Sequence, residues 1–110
     1  MELIAKLMIK ENDQVFLGPG VRELLALIES EKSVKDASRK MELSYSKAWT
    51  IIRNAEAGAN IQLVKRSHGG HSGGSSELTD EGKKLLERYL AFEREAGLLL
   101  SECFRRHFDG

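Results

Sequence analysis

Two short stretches of the chain carry side chains able to do chemistry at a surface. In the first, Ser44, Tyr45, Ser46, Lys47, Trp49, Thr50 and Arg53 bring hydroxyls, an indole and two cations close together. In the second, Lys65, Arg66, His68 and His71 bracket glycines that include Gly69 and Gly70. Hydroxyl and guanidinium groups donate to base edges and phosphate oxygens. Glycines let a backbone approach a phosphate chain or a groove closely. Other chemistry has less support. His68 and His71 have no Cys or neighbouring carboxylate to complete a metal ligand set, and the glycine run has no following Gly-Lys-Ser/Thr element to hold a nucleotide. Cys103 has His107 four residues on, but it falls on an apolar stripe where a buried small hydrophobe is expected rather than a nucleophile. No enzyme, no metal and no cofactor is therefore expected.

The charge distribution favours a polyanion over the centre of the chain only. The 110 residues balance 17 Lys+Arg against 17 Asp+Glu, so the formal net charge is zero. Divided by segment, residues 1–34 carry a balance of −2, residues 35–71 one of +4, and residues 72–110 one of −2. The cations gather where the two candidate stretches lie. The single Cys rules out an internal disulfide, in keeping with a reducing compartment. No apolar run reaches the roughly 18–20 residues of a membrane span, and no signal-peptide segment opens the chain. A cytoplasmic protein of one modest core, without a membrane partner, is expected.

The elements that must position these residues can be read from periodicity and breakers. Residues 3–17 alternate weakly about Asn12-Asp13, which predicts a β-hairpin with Leu3, Ala5, Leu7 and Ile9 on one side. Pro19 suits the first turn of a helix over about 19–31, whose apolar residues are Val21, Leu24, Leu25 and Ile28. Ser33 and Asp36 form a capping-box-like pair at the start of a second helix that ends near Glu42. Ser44 caps a third, over about 45–57 and stopping at Gly58. A strand at 61–64, a Gly/Ser loop at 68–76 and a return at Glu77-Leu78 predict a second hairpin. Thr79-Asp80-Glu81 opens a last helix running to about Phe108.

On the third helix, each residue turns by about 100°. With Ala48 at zero, Ile52 at about 40° and Ala55 at about −20° face a core. Ser46, Arg53 and Thr50, at about 140–200°, face away, with Trp49 at about 100° on the shoulder and Lys47 and Asn54 on the other flank. That outward face suits a major groove; taken alone it reads first as the solvated side of an amphipathic helix, and the basic segment, the tight helix pair and the following basic hairpin favour the groove. On the last helix, Leu85, Tyr89, Phe92, Ala96, Leu99 and Cys103 recur at near-heptad spacing. The first part of that stripe packs at home in this reading, and the second, Leu99, Leu100, Phe104 and Phe108, pairs with its twin.

The stretch Leu43-Ser44-Tyr45-Ser46-Lys47-Ala48-Trp49, followed by the glycine-rich 68–76 and Leu78-Thr79, resembles the N-terminal DNA-binding domain of the ModE molybdate-responsive regulators. More distantly the chain is similar to LysR-type winged helices. The resemblance implies a dimeric bacterial or archaeal transcription factor domain, with 45–57 as reader helix and 65–76 as wing. Carried over by position, Ser44, Tyr45, Ser46, Lys47, Trp49, Thr50 and Arg53 fall on the recognition element. Glu42 stands where the family has Gly, so that turn is strained or takes another form. A chain of this length has no room for the family's separate oxyanion-binding domain, so molybdate sensing is not expected to transfer: either the protein regulates without that ligand or its sensor is another chain.

Together these readings predict an α+β, mainly helical, winged helix-turn-helix: hairpin 1–18, three-helix core 19–58, wing 59–78 and long dimerisation helix 79–108. The expected partners are double-stranded DNA and a second copy of the chain. DNA would be bound through the recognition residues above and through Lys65, Arg66, His68, Gly69, Gly70 and His71 of the wing. The competing classes are a winged-helix protein-interaction adaptor and a small metal- or ligand-sensing repressor.

Overall fold

A computed structural model describes residues 1–66 and 75–108. The elements run in the order β1 (Ile9–Glu11), β2 (Gln14–Leu17), α1 (Pro19–Glu31), α2 (Val34–Lys40), α3 (Tyr45–Ala59), β3 (Val64–Arg66), β4 (Ser76–Leu78) and α4 (Asp80–Phe108). The architecture is α+β and mainly helical. Two antiparallel strand pairs, β1 with β2 and β3 with β4, flank the helices.

The first hairpin turns at Asn12 and Asp13, both with positive φ (52° and 62°), the two-residue geometry that matches the twist of paired strands. Its first strand is shorter than the alternation predicts. Leu3 is exposed and burial begins to alternate only at Leu7, so residues 1–6 have no apolar surface to alternate against. The chain just after them is tied down, because the Tyr89 hydroxyl donates to the Leu7 carbonyl at 2.6 Å.

The core is the meeting of one face from each helix with the base of the wing. Leu24, Leu25 and Ile28 of α1, Val34 and Ala37 of α2, and Ala48, Ile52 and Ala55 of α3 are buried against Leu63, Val64, Leu78 and Leu86. The helix ends show why these segments stop. Pro19 opens α1, and Lys32 closes it in the left-handed region at φ 56°. The Ser33 hydroxyl accepts the Asp36 N–H at 3.0 Å and caps α2.

The end of α2 sits earlier than Glu42, at Lys40, and it is closed by a Schellman motif. The Leu43 N–H reaches the Ser38 carbonyl at 2.9 Å and the Glu42 N–H reaches the Arg39 carbonyl at 3.0 Å. That motif needs a left-handed residue in the position Glu42 occupies, and Glu42 takes it, at φ 57°. The turn keeps the form that favours glycine and accepts the strain of a side chain.

Helix α3 does not stop at Gly58. It continues to Ala59 and closes at Asn60, left-handed at φ 58°. Gly58 has a packing role instead: a Cβ there would lie 2.5 Å from the Phe16 Cβ, so the first hairpin rests directly on the α3 backbone. The strand after it starts at Val64 rather than Ile61.

Helix α4 begins on a cap formed by Thr79, whose hydroxyl accepts the Gly82 N–H at 2.9 Å. Gly82 packs against the Leu63 backbone, where a Cβ would collide with the carbonyl. Only the first turns of α4 are held by the core, through Gly82, Leu86 and Tyr89. Beyond them the helix projects, which accounts for a longest dimension of 59 Å against 28 and 22 Å for the others. Cys103 lies on this projecting part and is exposed. The buried environment expected for it is missing because the protomer's own core ends before the stripe does.

Candidate nucleic-acid interface

The segment predicted to read DNA forms the second helix of a helix-turn-helix pair. Helices α2 and α3 are joined by residues 41–44, and Ser44 caps α3 by accepting the Lys47 N–H at 3.0 Å. The Ser44 hydroxyl is thus already engaged at the helix start. Ala48, Ile52 and Ala55 are buried, while Ser46, Lys47, Thr50, Arg53 and Asn54 are exposed on the remaining face. Thr50 holds its hydroxyl on the helix by donating to the Ser46 carbonyl at 3.1 Å.

Trp49 serves both sides of the helix. It packs partly against the core cluster, and the rest of its ring faces two exposed neighbours. Tyr45, 48% exposed, meets it edge-on with ring centroids 6.3 Å apart. The guanidinium carbon of Arg66 lies 6.0 Å from its ring centroid, within reach of a cation–π attraction. Arg66 belongs to β3, so this contact joins the wing to the outward shoulder of α3.

Lys65 and Arg66 do not act as a pair. Successive strand residues point to opposite faces, and Lys65 is held by Glu77 across the hairpin at 3.6 Å. The other paired cations of the basic segment are Arg39, 3.6 Å from Asp36, and Lys40, 3.1 Å from Glu31. Among the described residues Lys35, Lys47, Arg53 and Arg66 form no ion pair, so the unneutralised charge of this segment is shared by α3, the edge of the wing beside Trp49 and the start of α2. His68, Gly69, Gly70 and His71 lie outside the described residues, and with them the two-histidine metal alternative. Among the described residues no three His, Cys, Asp or Glu side chains group as metal ligands.

The wing root is fixed by two residues that charge and motif arguments did not single out for this role. The Glu56 carboxylate accepts the Leu63 N–H at 2.8 Å and the Val64 N–H at 3.3 Å. By the same angular reckoning Glu56 falls at about 80° on α3, on the flank shared with Trp49. An acid on an otherwise cationic helix, in line with the indole, was the available signal. Thr79 adds a second tie, donating its hydroxyl to the Gln62 carbonyl and its N–H to the Leu63 carbonyl at 2.9 Å. On the opposite strand the Ser76 N–H reaches the Lys32 carbonyl at 2.9 Å. The wing base is therefore bonded to α3, to the start of α4 and to the α1–α2 connection.

A helix pair with a tight turn, an outward cationic face on its second helix and a hairpin docked beside that face define a winged helix-turn-helix arrangement. No family model matches the chain, but curated relatives do. It is 40% identical over 72 residues to the molybdenum transport protein ModE of Azotobacter vinelandii, a match covering 66% of this chain and 27% of that protein. Over 88 residues it is 31% identical to the transcriptional regulator ModE of Haemophilus influenzae, covering 80% of this chain and 34% of that one. Over 83 residues it is 30% identical to the DNA-binding transcriptional dual regulator ModE of Escherichia coli, covering 76% and 32% respectively. The chain carries a ModE-like domain. It spans between 27% and 34% of the length of these relatives. No described helix is long and apolar enough to cross a membrane.

Proposed function

We propose that this chain binds duplex DNA as a homodimeric transcriptional regulator. The observation that carries the reading is the location of the unpaired cations. Lys47 and Arg53 stand on the exposed face of α3, Arg66 on the adjoining edge of the wing and Lys35 at the start of α2, whereas Lys65, Arg39 and Lys40 are tied to carboxylates. In this reading α3 enters the major groove, where Arg53, Ser46 and Thr50 meet base edges and Lys47 meets phosphate. Arg66 and the Trp49–Tyr45 pair follow the adjacent backbone. Two copies present two reader helices to successive major grooves about 34 Å apart. The regulator names of the relatives support the same role.

The test uses the single tryptophan as its own reporter, because Trp49 lies on the proposed interface. Titration with duplex fragments of the chain's own upstream region should change Trp49 emission and retard the DNA on a gel. Affinity should fall steeply from low to physiological salt. Arg53→Ala should narrow the difference between specific and bulk DNA by about 1–3 kcal/mol, while Arg66→Ala weakens all sequences alike. Lys65→Ala should do less than Arg66→Ala, since Glu77 already neutralises that charge. A chain that retards no DNA at low salt would leave the protein-interaction adaptor as the reading.

A further inference from the structure

A cleft of about 710 Å³ opens where three parts of the chain meet: the α1–α2 connection with the first turn of α2, Tyr45 at the start of α3, and Ser75–Ser76 of the wing. The wing and the α1–α2 connection are bonded to each other here, the Ser76 N–H reaching the Lys32 carbonyl at 2.9 Å, so these walls keep a fixed separation. Most of the charge that lines the cleft is already matched. Glu31 pairs with Lys40 at 3.1 Å, Lys32 with Glu29 at 3.1 Å and Asp36 with Arg39 at 3.6 Å. The backbone donors of the first turn of α2 are engaged as well, Asp36 N–H on the Ser33 hydroxyl at 3.0 Å and Ala37 N–H on the Ser33 carbonyl at 3.0 Å. Lys35 is different: it is exposed and pairs with no described carboxylate. What the cleft still offers is that ammonium, the phenol of Tyr45, 48% exposed, and the Ser75 hydroxyl.

We propose that this cleft seats a backbone phosphodiester of the duplex that α3 enters, with the Lys35 ammonium as its counter-charge and the Tyr45 and Ser75 hydroxyls donating to its non-bridging oxygens. This rests on the DNA-binding reading of the preceding section and adds to it a backbone contact carried by side chains of α2, α3 and the wing together. The chemistry of a phosphodiester fits what is left unmatched: a single negative charge with acceptor oxygens only, against a single free cation and hydroxyl donors. A phosphate monoester or free phosphate carries about 1.5 to 2 negative charges at neutral pH, and its excess would stand unmatched beside Glu31 and Asp36. Position favours the same occupant. A helix in the major groove has a phosphate backbone along each edge, and Tyr45 belongs both to the cleft and to the first turn of α3, so the cleft opens where that backbone must pass.

Lysine acylation read by mass spectrometry tests the seat directly. On addition of the upstream duplex at low salt, acylation of Lys35 should fall several-fold and recover at high salt. Lys10, on the hairpin that docks at the opposite end of α3, should react as before. Lys35→Ala preserves helix propensity and should weaken specific and bulk DNA alike, lowering the slope of log affinity against log salt by about 0.9, the value for one phosphate. Tyr45→Phe removes a donor without a charge, so it should weaken binding and leave that slope as it is. Lys10→Ala should change neither. A native chain that binds the duplex with Lys35 still fully reactive, or a Lys35→Ala variant with the native slope, overturns the phosphate seat and leaves the DNA-binding reading standing. Equal protection of Lys35 by inorganic phosphate without DNA, at matched ionic strength, assigns the cleft to a free anion and also overturns the seat. A native chain that retards no DNA at low salt overturns the DNA-binding reading itself, and the seat with it.

Discussion

The Glu56 carboxylate and the Leu63 backbone N–H, 2.8 Å apart, join the end of α3 to the root of the wing. One side chain thereby sets where β3 leaves the core, and through β3 it sets where Arg66 meets Trp49. The exposed cationic surface is positioned by a residue that does not lie on it.

Removing that carboxylate leaves two N–H donors without their partner. Glu56→Ala should cost about 1–3 kcal/mol of stability, measured as a shift of the urea midpoint. Glu56→Gln keeps one acceptor oxygen and should recover part of the loss. In both variants the change in Trp49 emission should accompany the loss, because Arg66 moves relative to the indole.

The turn before α3 holds stored strain that can be released. Glu42 sits at φ 57° inside a complete Schellman motif, where a side chain costs on the order of 1 kcal/mol that glycine avoids. Glu42→Gly should raise the melting temperature by a few degrees, net of the entropy glycine adds to the unfolded chain. Glu42→Ala, which keeps the Cβ, should give no such gain.

At Gly58 the expected sign is reversed. Alanine is the better helix former, yet its Cβ would stand 2.5 Å from that of Phe16, and neither atom can move without its backbone. Gly58→Ala should destabilise by about 1–3 kcal/mol as the first hairpin is displaced. Gly20→Ala, where an added Cβ meets nothing within 4 Å, is the neutral control for thermal unfolding.

Tyr89 makes stability depend on alkaline pH. Burial, and behind it the Glu93 carboxylate, pushes its phenol above the ordinary value of 10, with Arg22 acting in the opposite direction. The neutral phenol is thus the form the folded state favours. Its contribution is fully present below pH 10 and is lost as pH rises through the raised folded value. Tyr89→Phe should lose on the order of 1 kcal/mol at neutral pH, from the bond to the Leu7 carbonyl. The difference between native chain and variant should shrink above pH 10, as read by denaturant titration across that range.

Much of the fold follows from local signals. Pro19, the Ser33 and Ser44 caps and the 3.6-residue recurrence of Leu24, Leu25, Ile28, Ala48, Ile52 and Ala55 fix three helices and their inward faces. The segment charge likewise localises the cations to the stretch that forms α2, α3 and the root of the wing. These features are legible because caps and periodicity act within one or two turns of chain. What depends on distant partners was not legible. Glycine reads as a helix stop at 58, but Phe16 makes the same residue a packing surface inside α3. Alternation extends the first strand to Leu3, but no second layer exists there to bury it. Lys65 and Arg66 are equivalent as letters, and only the pairing of β3 with β4 gives one to Glu77 and the other to Trp49. The sequence by itself determined the helices, their caps and where positive charge collects, through short-range hydrogen bonding and periodic burial. Tertiary structure decided which cations remain unpaired, which acid anchors the wing and which half of α4 is left without a core, because these depend on side chains brought together from separate segments.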